Sequence, residues 1–200
     1  MEPGTESRAW KLVAPHCDIE DRVRLVPDWA KLRGLYLVSV LKVLERAMRL
    51  DAYREYFPAE NWASLPYYPV SDFLLRLAVA GAVLATPETV HLGMHRAMRQ
   101  NALGFTSSLI GRVLLRGLAR DPLRLAEQGM AARRLSTNYG NWTIRSHGPR
   151  FAEIYHQSEY VWLDSAVAGS AVGTFEACGI EAEVQMTLID RFNAYTRVTW

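Results

Sequence analysis

Near Asn138 the spacing of apolar residues changes period, from a helical repeat upstream to a two-residue alternation downstream, and this change bounds the folds open to the chain. From Leu35 to Leu50 the polar residues Ser39, Lys42, Glu45, Arg46 and Arg49 recur at steps of three to four, which predicts an amphipathic helix. The stretch Asp51 to Phe57 continues it after a bend, and Pro58 ends it. Pro66 and Pro69 bracket a turn at Tyr67-Tyr68, after which Ser71 or Asp72 caps a helix from Phe73 to Ala85. Arg76 is the one charge on that helix, so its place is central. Thr86-Pro87-Glu88 opens a helix to about Asn101, and Gly104 and Thr106 open another carrying Leu109, Ile110, Val113, Leu114 and Leu118 on one side. Asp121-Pro122 starts a further helix ending near Leu135. In the first thirty residues, short apolar runs interrupted by Pro15 and Pro27 suggest extended segments.

Beyond Asn138, Tyr139 to Ser146 and Phe151 to Gln157 read as two strands joined at His147-Gly148-Pro149-Arg150. Asp164 caps a helix to Cys178, with Gly179 at the left-handed position that closes it. Ala182, Val184, Met186 and Leu188, then Ala194, Thr196, Val198 and Trp200, alternate with polar neighbours and form two half-buried strands. Residues paired across an antiparallel ladder share a face, so the connecting loop has an odd length, Asp190-Arg191-Phe192 or a five-residue version. Glu183, Gln185 and Thr187 then face Thr199, Arg197 and Tyr195. The fold class is α+β: a mainly helical half, residues 1–137, followed by a ββαββ antiparallel half, residues 138–200. Two hundred residues, half of them hydrophobic, suit one domain around one core.

The longest apolar run, Leu77 to Ala85, is far short of the ~20 residues that span a bilayer, and the N-terminus has no signal-like apolar region. A cytoplasmic location without a membrane span is expected. Cys17 and Cys178 belong to no Cys-x-x-Cys pair and are expected to be reduced, with Cys178 in the core. Net charge is only +2, but it is unevenly spread: Arg96, Arg99, Arg112, Arg116, Arg120, Arg124, Arg133 and Arg134 face Asp121 and Glu127 in the middle of the chain. From Phe151 to Asp190 there are acids and no Lys or Arg. The opposed regions are expected to meet, within one molecule or between two copies.

The C-terminal third, from Asn138-Tyr139-Gly140 through Gly148-Pro149-Arg150-Phe151 to Tyr195-Thr196-Arg197-Val198-Thr199-Trp200, resembles a paralogous family of proteins of about this length, of unknown function, known mainly from myxobacteria. Arg33-Gly34-Leu35-Tyr36 and the Tyr67 to Leu77 segment are similar to its N-terminal pattern. That family has a fold similar to haem nitric-oxide sensors, vinyl-reductase-type ligand-binding domains and the core subunits of the TRAPP tethering complex. The resemblance implies small-molecule sensing or scaffolded protein association. The haem sensors carry a Tyr-x-Ser-x-Arg motif that is absent here, and the cysteine clusters of some vinyl-reductase-type domains are absent too. No cofactor is therefore expected.

Four groups of residues carry candidate chemistry. Tyr139, Trp142, Arg145, His147 and Phe151, with Arg150 and Tyr155, cluster on the first hairpin, and aromatics among cationic donors can line a small-molecule pocket; the alternative is core aromatics with solvated charges. Arg112, Arg116 and Arg120 recur every fourth residue and can meet an anion or an acidic partner, or can be a solvated face. His91 and His95 have the spacing that lets two imidazoles share a metal, but no third ligand can be placed, so no metal is expected. Gly169-Ser170-Ala171-Val172-Gly173 gives one helix a face with little volume, suited to tight packing on the sheet. No nucleophile elbow, phosphate loop, dinucleotide fingerprint or nucleic-acid motif occurs. The expectation is a non-enzymatic domain that binds a small apolar ligand, with no nucleic acid; the alternative is a dimeric protein-interaction module of TRAPP-like architecture.

Overall fold

The computed structural model describes residues 3–58, 61–107 and 121–200. They fall into two compact units, up to Ala97 and from Met98 on, whose boundary lies inside one helix. The architecture is α+β, with helices in the N-terminal part and an antiparallel sheet in the C-terminal part.

The first unit holds α1 (Pro3–Val13), α2 (Ile19–Leu25), β1 (Lys31–Arg33), α3 (Leu35–Arg46), α4 (Leu50–Arg54), β2 (Tyr67–Pro69), α5 (Val70–Leu84) and the start of α6 (Val90–Ser107). The extended segments expected before residue 30 are helices instead. The prolines follow the helices and do not disrupt them: α1 ends two residues before Pro15, and α2 ends where Val26 turns extended before Pro27. Glu20 and Asp21 in the first turn of α2 complement the positive end of its dipole. Tyr67-Tyr68 is likewise no turn. It is a strand that pairs with β1, Leu32 opposite Tyr68, in a two-stranded ribbon where proline is tolerated.

α3 stops at Arg46, short of Leu50, because Met48 takes a left-handed φ of 56°. α5 begins at Val70, with Pro69 in the cap position that Ser71 or Asp72 was expected to fill. It is the hub of the unit: α1, α2, α3 and α4 all pack on it, and its residues from Phe73 to Ala82 are buried all round. Arg76, the charge within its buried stretch, is at 6% exposure with its guanidinium 4.8 Å from the ring centres of both Phe57 and Trp62, and it donates to the Asp72 carbonyl. Thr86 and Thr89 form a reciprocal cap around a 3-10 turn (Pro87–Thr89) before α6. A Cβ on Gly93 would lie 1.9 Å from the Gly81 carbonyl oxygen, so α5 and α6 touch backbone to backbone. α6 runs through Gly104 and Thr106, which therefore open no new helix. The rest of that expected helix, with Arg112, Arg116 and Arg120, lies outside the described residues.

The second unit contains the end of α6, α7 (Pro122–Ser136), β3 (Asn141–Gly148), β4 (Phe151–Gln157), α8 (Ala168–Ala177), β5 (Glu183–Leu188) and β6 (Ala194–Thr199). Asp121 caps α7 as expected, accepting from the Arg124 amide at 3.1 Å. The sheet order is β3-β4-β6-β5, antiparallel throughout. β3 and β4 turn at Pro149-Arg150, and the register shifts at Arg145. Glu183, Gln185 and Thr187 face Thr199, Arg197 and Tyr195, as the alternation requires, across a five-residue loop. The inner face of the sheet, Ile144, Ile154, Val184 and Val198, packs against Leu125, Ala126 and Met130 of α7 and Phe175 of α8.

The helix expected from Asp164 starts earlier, with Trp162 at the cap and a π-helical turn (Leu163–Val167) leading into α8. Gly179 is left-handed at φ 70° and Ile180 donates back to the Phe175 carbonyl, closing α8 as expected. The small face of α8 packs against α6: a Cβ on Gly173 would lie 2.3 Å from the Arg99 carbonyl oxygen. Beside that contact, Arg99 binds Glu176 with two hydrogen bonds of 2.7 and 2.8 Å. α8 also packs on β5. Among the described residues, no single helix is long and apolar enough to cross a membrane.

Candidate functional site

The sheet separates the five hairpin residues chosen from sequence. Tyr139 is buried ahead of β3, its ring 4.5 Å from the Arg133 guanidinium. Trp142 points to the inner face, whereas Arg145, at the bulge, lies over Tyr155 on the outer face. His147 is exposed, and Phe151 sits under Arg197 on the outer side. Only Tyr139 and Trp142 share surroundings. His91 and His95 are half-buried on α6, each engaged in contacts of its own. Among the described residues no three His, Cys, Asp or Glu side chains gather in a way that could hold a metal ion.

What brings Tyr139 and Trp142 together is Glu159, at 1% exposure. Its Oε2 accepts from Arg133 Nε at 3.1 Å, Arg133 Nη2 at 2.5 Å and Trp142 Nε1 at 3.1 Å, while Oε1 accepts from the Val161 amide at 3.1 Å. Arg133 also donates to Thr137. The pair thus ties α7 to β3 and to the chain that follows β4. Next to it, His156 is buried at 2% exposure, edge-on to Trp142, with Nε2 2.7 Å from Thr196 Oγ1. Thr196 donates to Met186 Sδ at 3.0 Å, so its oxygen is left to accept from His156 Nε2–H. This tautomer leaves Nδ1 as a bare lone pair, and Nδ1 has no partner. Burial, helped by the Arg133 charge, pushes the His156 pKa from 6.5 down to about 3 and keeps the ring neutral.

The first unit contains a cleft of about 250 Å³. α3 supplies Val38, Leu41, Lys42 and Glu45; α4 and the segment after it supply Leu50, Tyr53, Arg54, Phe57, Asn61 and Trp62. Its floor is aromatic and aliphatic, and its rim is charged. The volume is just under the roughly 300–1,000 Å³ of most ligand pockets, which suits a compact molecule. Arg76 holds the floor from behind, stacked between Phe57 and Trp62. Trp62 Nε1 is shielded from solvent and has no hydrogen-bond partner.

Sequence reasoning missed both Glu159 and this cleft. Glu159 stands 26 residues from Arg133, a separation that no periodicity encodes. The cleft assembles residues from a helix face, a five-residue helix and a loop, and only the aromatic density around Tyr53, Phe57 and Trp62 hints at it.

Neither cysteine offers a nucleophile. Burial pushes the Cys17 thiol up to about 11, and it also raises Cys178, which packs against the core beside Phe175. Nor does the cleft suit haem. Its lining has no histidine, cysteine or methionine, and its one phenol, Tyr53, is packed against Phe57 at a ring-centre distance of 5.1 Å.

No curated protein matches the sequence. The fold, however, is similar to that of H-NOX proteins. The Fe(II) unliganded H-NOX protein from K. algicida superposes with a TM-score of 0.63 at 14% identity, covering 84% of this chain and 96% of that one. The H-NOX from Shewanella woodyi, in its IWP-051-bound Fe(II)CO state, gives 0.62 at 13% identity, covering 83% and 93%. At such identities the likeness concerns fold alone. The family resemblance read from the Gly, Pro and aromatic positions agrees with a match over residues 28–200 to the model described as protein of unknown function (DUF2378), and the chain belongs to that family.

Proposed function

We propose that this chain is a non-enzymatic, cytoplasmic sensing domain that binds a small, largely apolar molecule. The observation that carries this reading is the cleft of about 250 Å³ floored by Tyr53, Phe57, Leu41 and Leu50. Small-molecule sites are usually concave, with apolar walls and a few polar groups; this cleft combines an apolar floor with a rim of Lys42, Glu45, Arg54 and Asn61. The H-NOX-like fold supports it, since those structures are described in Fe(II), CO-ligated and IWP-051-bound states. The donors weighed among the described residues support a reading without haem. His156, the most buried imidazole among the described residues, is committed to Thr196, and the cleft offers no iron ligand.

A second reading, a dimer or subunit of a larger assembly, is favoured by one surface feature. At the end of the β5–β6 hairpin Leu188, Ile189 and Tyr195 are each about half exposed, which suits a protein partner. Native mass spectrometry of protein purified from its own host separates the two readings. The binding reading expects a monomeric chain with a retained mass that is lost on denaturation. A dimer of bare chains favours the second reading.

A further inference from the structure

We propose that the ligand of the α3–α4 cleft is a compact monocarboxylate, a one-ring or short-chain apolar acid, whose carboxylate takes the Trp62 indole N–H. This rests on the small-molecule reading above and names the chemistry of the molecule. The floor of the cleft is Val38, Leu41, Leu50, Tyr53 and Phe57, and such a surface takes an apolar body. Its rim holds Lys42, Arg54 and Glu45, and Arg54 lies 3.8 Å from the Asp51 carboxylate. Lys42 is therefore the rim cation that meets a negative group, and a carboxylate at the mouth stays within reach of water.

Trp62 supplies the directional contact. An indole nitrogen can only donate, and this one is out of contact with water and without an acceptor, a costly arrangement for a buried donor. The ring stands on a loop, outside any helix or strand, with its edge against Tyr68 and Arg76 stacked on its face. Binding requires the ring to turn about its own side-chain bonds and bring the N–H to the cleft that it lines, an adjustment of the kind ligand binding commonly brings. The incoming carboxylate then satisfies the donor, and Lys42 at the rim offsets its charge. A hydrogen bond to a charged acceptor is worth more than one to a neutral acceptor, so the acid is selected over its neutral isostere.

Phenylacetate and phenylacetamide form a suitable probe pair, equal in shape and different in charge. Titrations of each are followed in the ¹H–¹⁵N spectrum, where the Trp62 indole resonance is the one missing in Trp62→Phe. The expected result is about tenfold tighter binding of the acid, with the Trp62 indole proton moving downfield. Trp62→Phe and Lys42→Gln each weaken the acid severalfold and leave the amide nearly unchanged; Lys42 is exposed, so its variant tests the idea even if Trp62→Phe disturbs the fold. Equal binding of acid and amide, or a stationary Trp62 resonance on binding, overturns the carboxylate assignment and leaves small-molecule binding in place. Failure of both probes while other apolar compounds bind also overturns the assignment alone. Failure of every apolar compound overturns both.

Discussion

His156 is neutral because it is buried beside the Arg133 charge and no acceptor stands at Nδ1 to take the N–H that protonation would place there. The unfolded chain protonates this histidine near its ordinary pKa of 6.5, whereas the folded chain resists until about 3. A depressed folded-state pKa contributes stability that is complete above the unfolded value and is lost as pH falls through the window between the two. Wild type should therefore lose on the order of a few kcal/mol between pH 6.5 and 4 that His156→Gln does not lose. Urea unfolding midpoints of both proteins across that range check this. The lowered carboxyls Glu88, Glu176 and Asp190 are common to both proteins and cancel in the difference. Parallel pH curves would show that the ring is not held neutral. The neighbouring Glu159–Arg133 pair has the opposite character, two charges buried together with their hydrogen bonds satisfied. Truncating either one would strand the other at a cost of about 3–5 kcal/mol. Neither residue stands out in the sequence, because burial of a charge depends on partners brought in by the fold.

At the scale of elements, legibility followed periodicity. The β5–β6 register could be read to the residue, because both strands alternate over six positions and an antiparallel pair admits only an odd loop between like faces. The loop chose its longer form because Asp190 accepts from the Phe192 amide and the Asn193 side chain, which organises all five residues. α7 was equally clear from Asp121-Pro122. α1 and α2 were not, since helices of eleven and seven residues carry too few turns for a period to emerge, and Pro15 and Pro27 read as interruptions when they are terminators. The glycine-rich face of α8 announced a close approach but not its partner, which is the α6 main chain at Arg99. Gly173→Ala should push α8 off that contact and strain the Arg99–Glu176 pair, costing about 1–3 kcal/mol as overpacking does. Gly129 provides the control, since its Cβ would meet nothing within 4 Å, and Gly129→Ala should be neutral or mildly stabilising. Equal thermal midpoints for the two variants would contradict the close packing of α8 on α6.

For the whole molecule, the helix-then-sheet order was legible from the change of period at Asn138, and the H-NOX-like superposition agrees with it. The hairpin residues chosen as ligand contacts were not brought to one place, because β3 distributes alternate side chains to opposite faces and the bulge at Arg145 re-aims the chain. The proposed site lies in the helical unit, built by residues whose spacing carries no motif. The arginine stripe Arg112, Arg116 and Arg120 lies outside the described residues, and its meeting with acidic surfaces remains a proposal. Arg99–Glu176 and Arg133–Glu159 do join the basic and acidic stretches within the second unit.

Whether this chain binds a compact apolar molecule is decided by a thermal-shift titration of the purified protein with a panel of small apolar acids and neutral compounds. Binding at a hundred times the dissociation constant adds about 2.7 kcal/mol to the folded state, which for a chain of this size raises the midpoint by roughly 5–10 °C. A saturating shift of that order is expected from at least one small acid, reduced in Trp62→Phe. A panel that leaves the midpoint unmoved at millimolar concentration would contradict it.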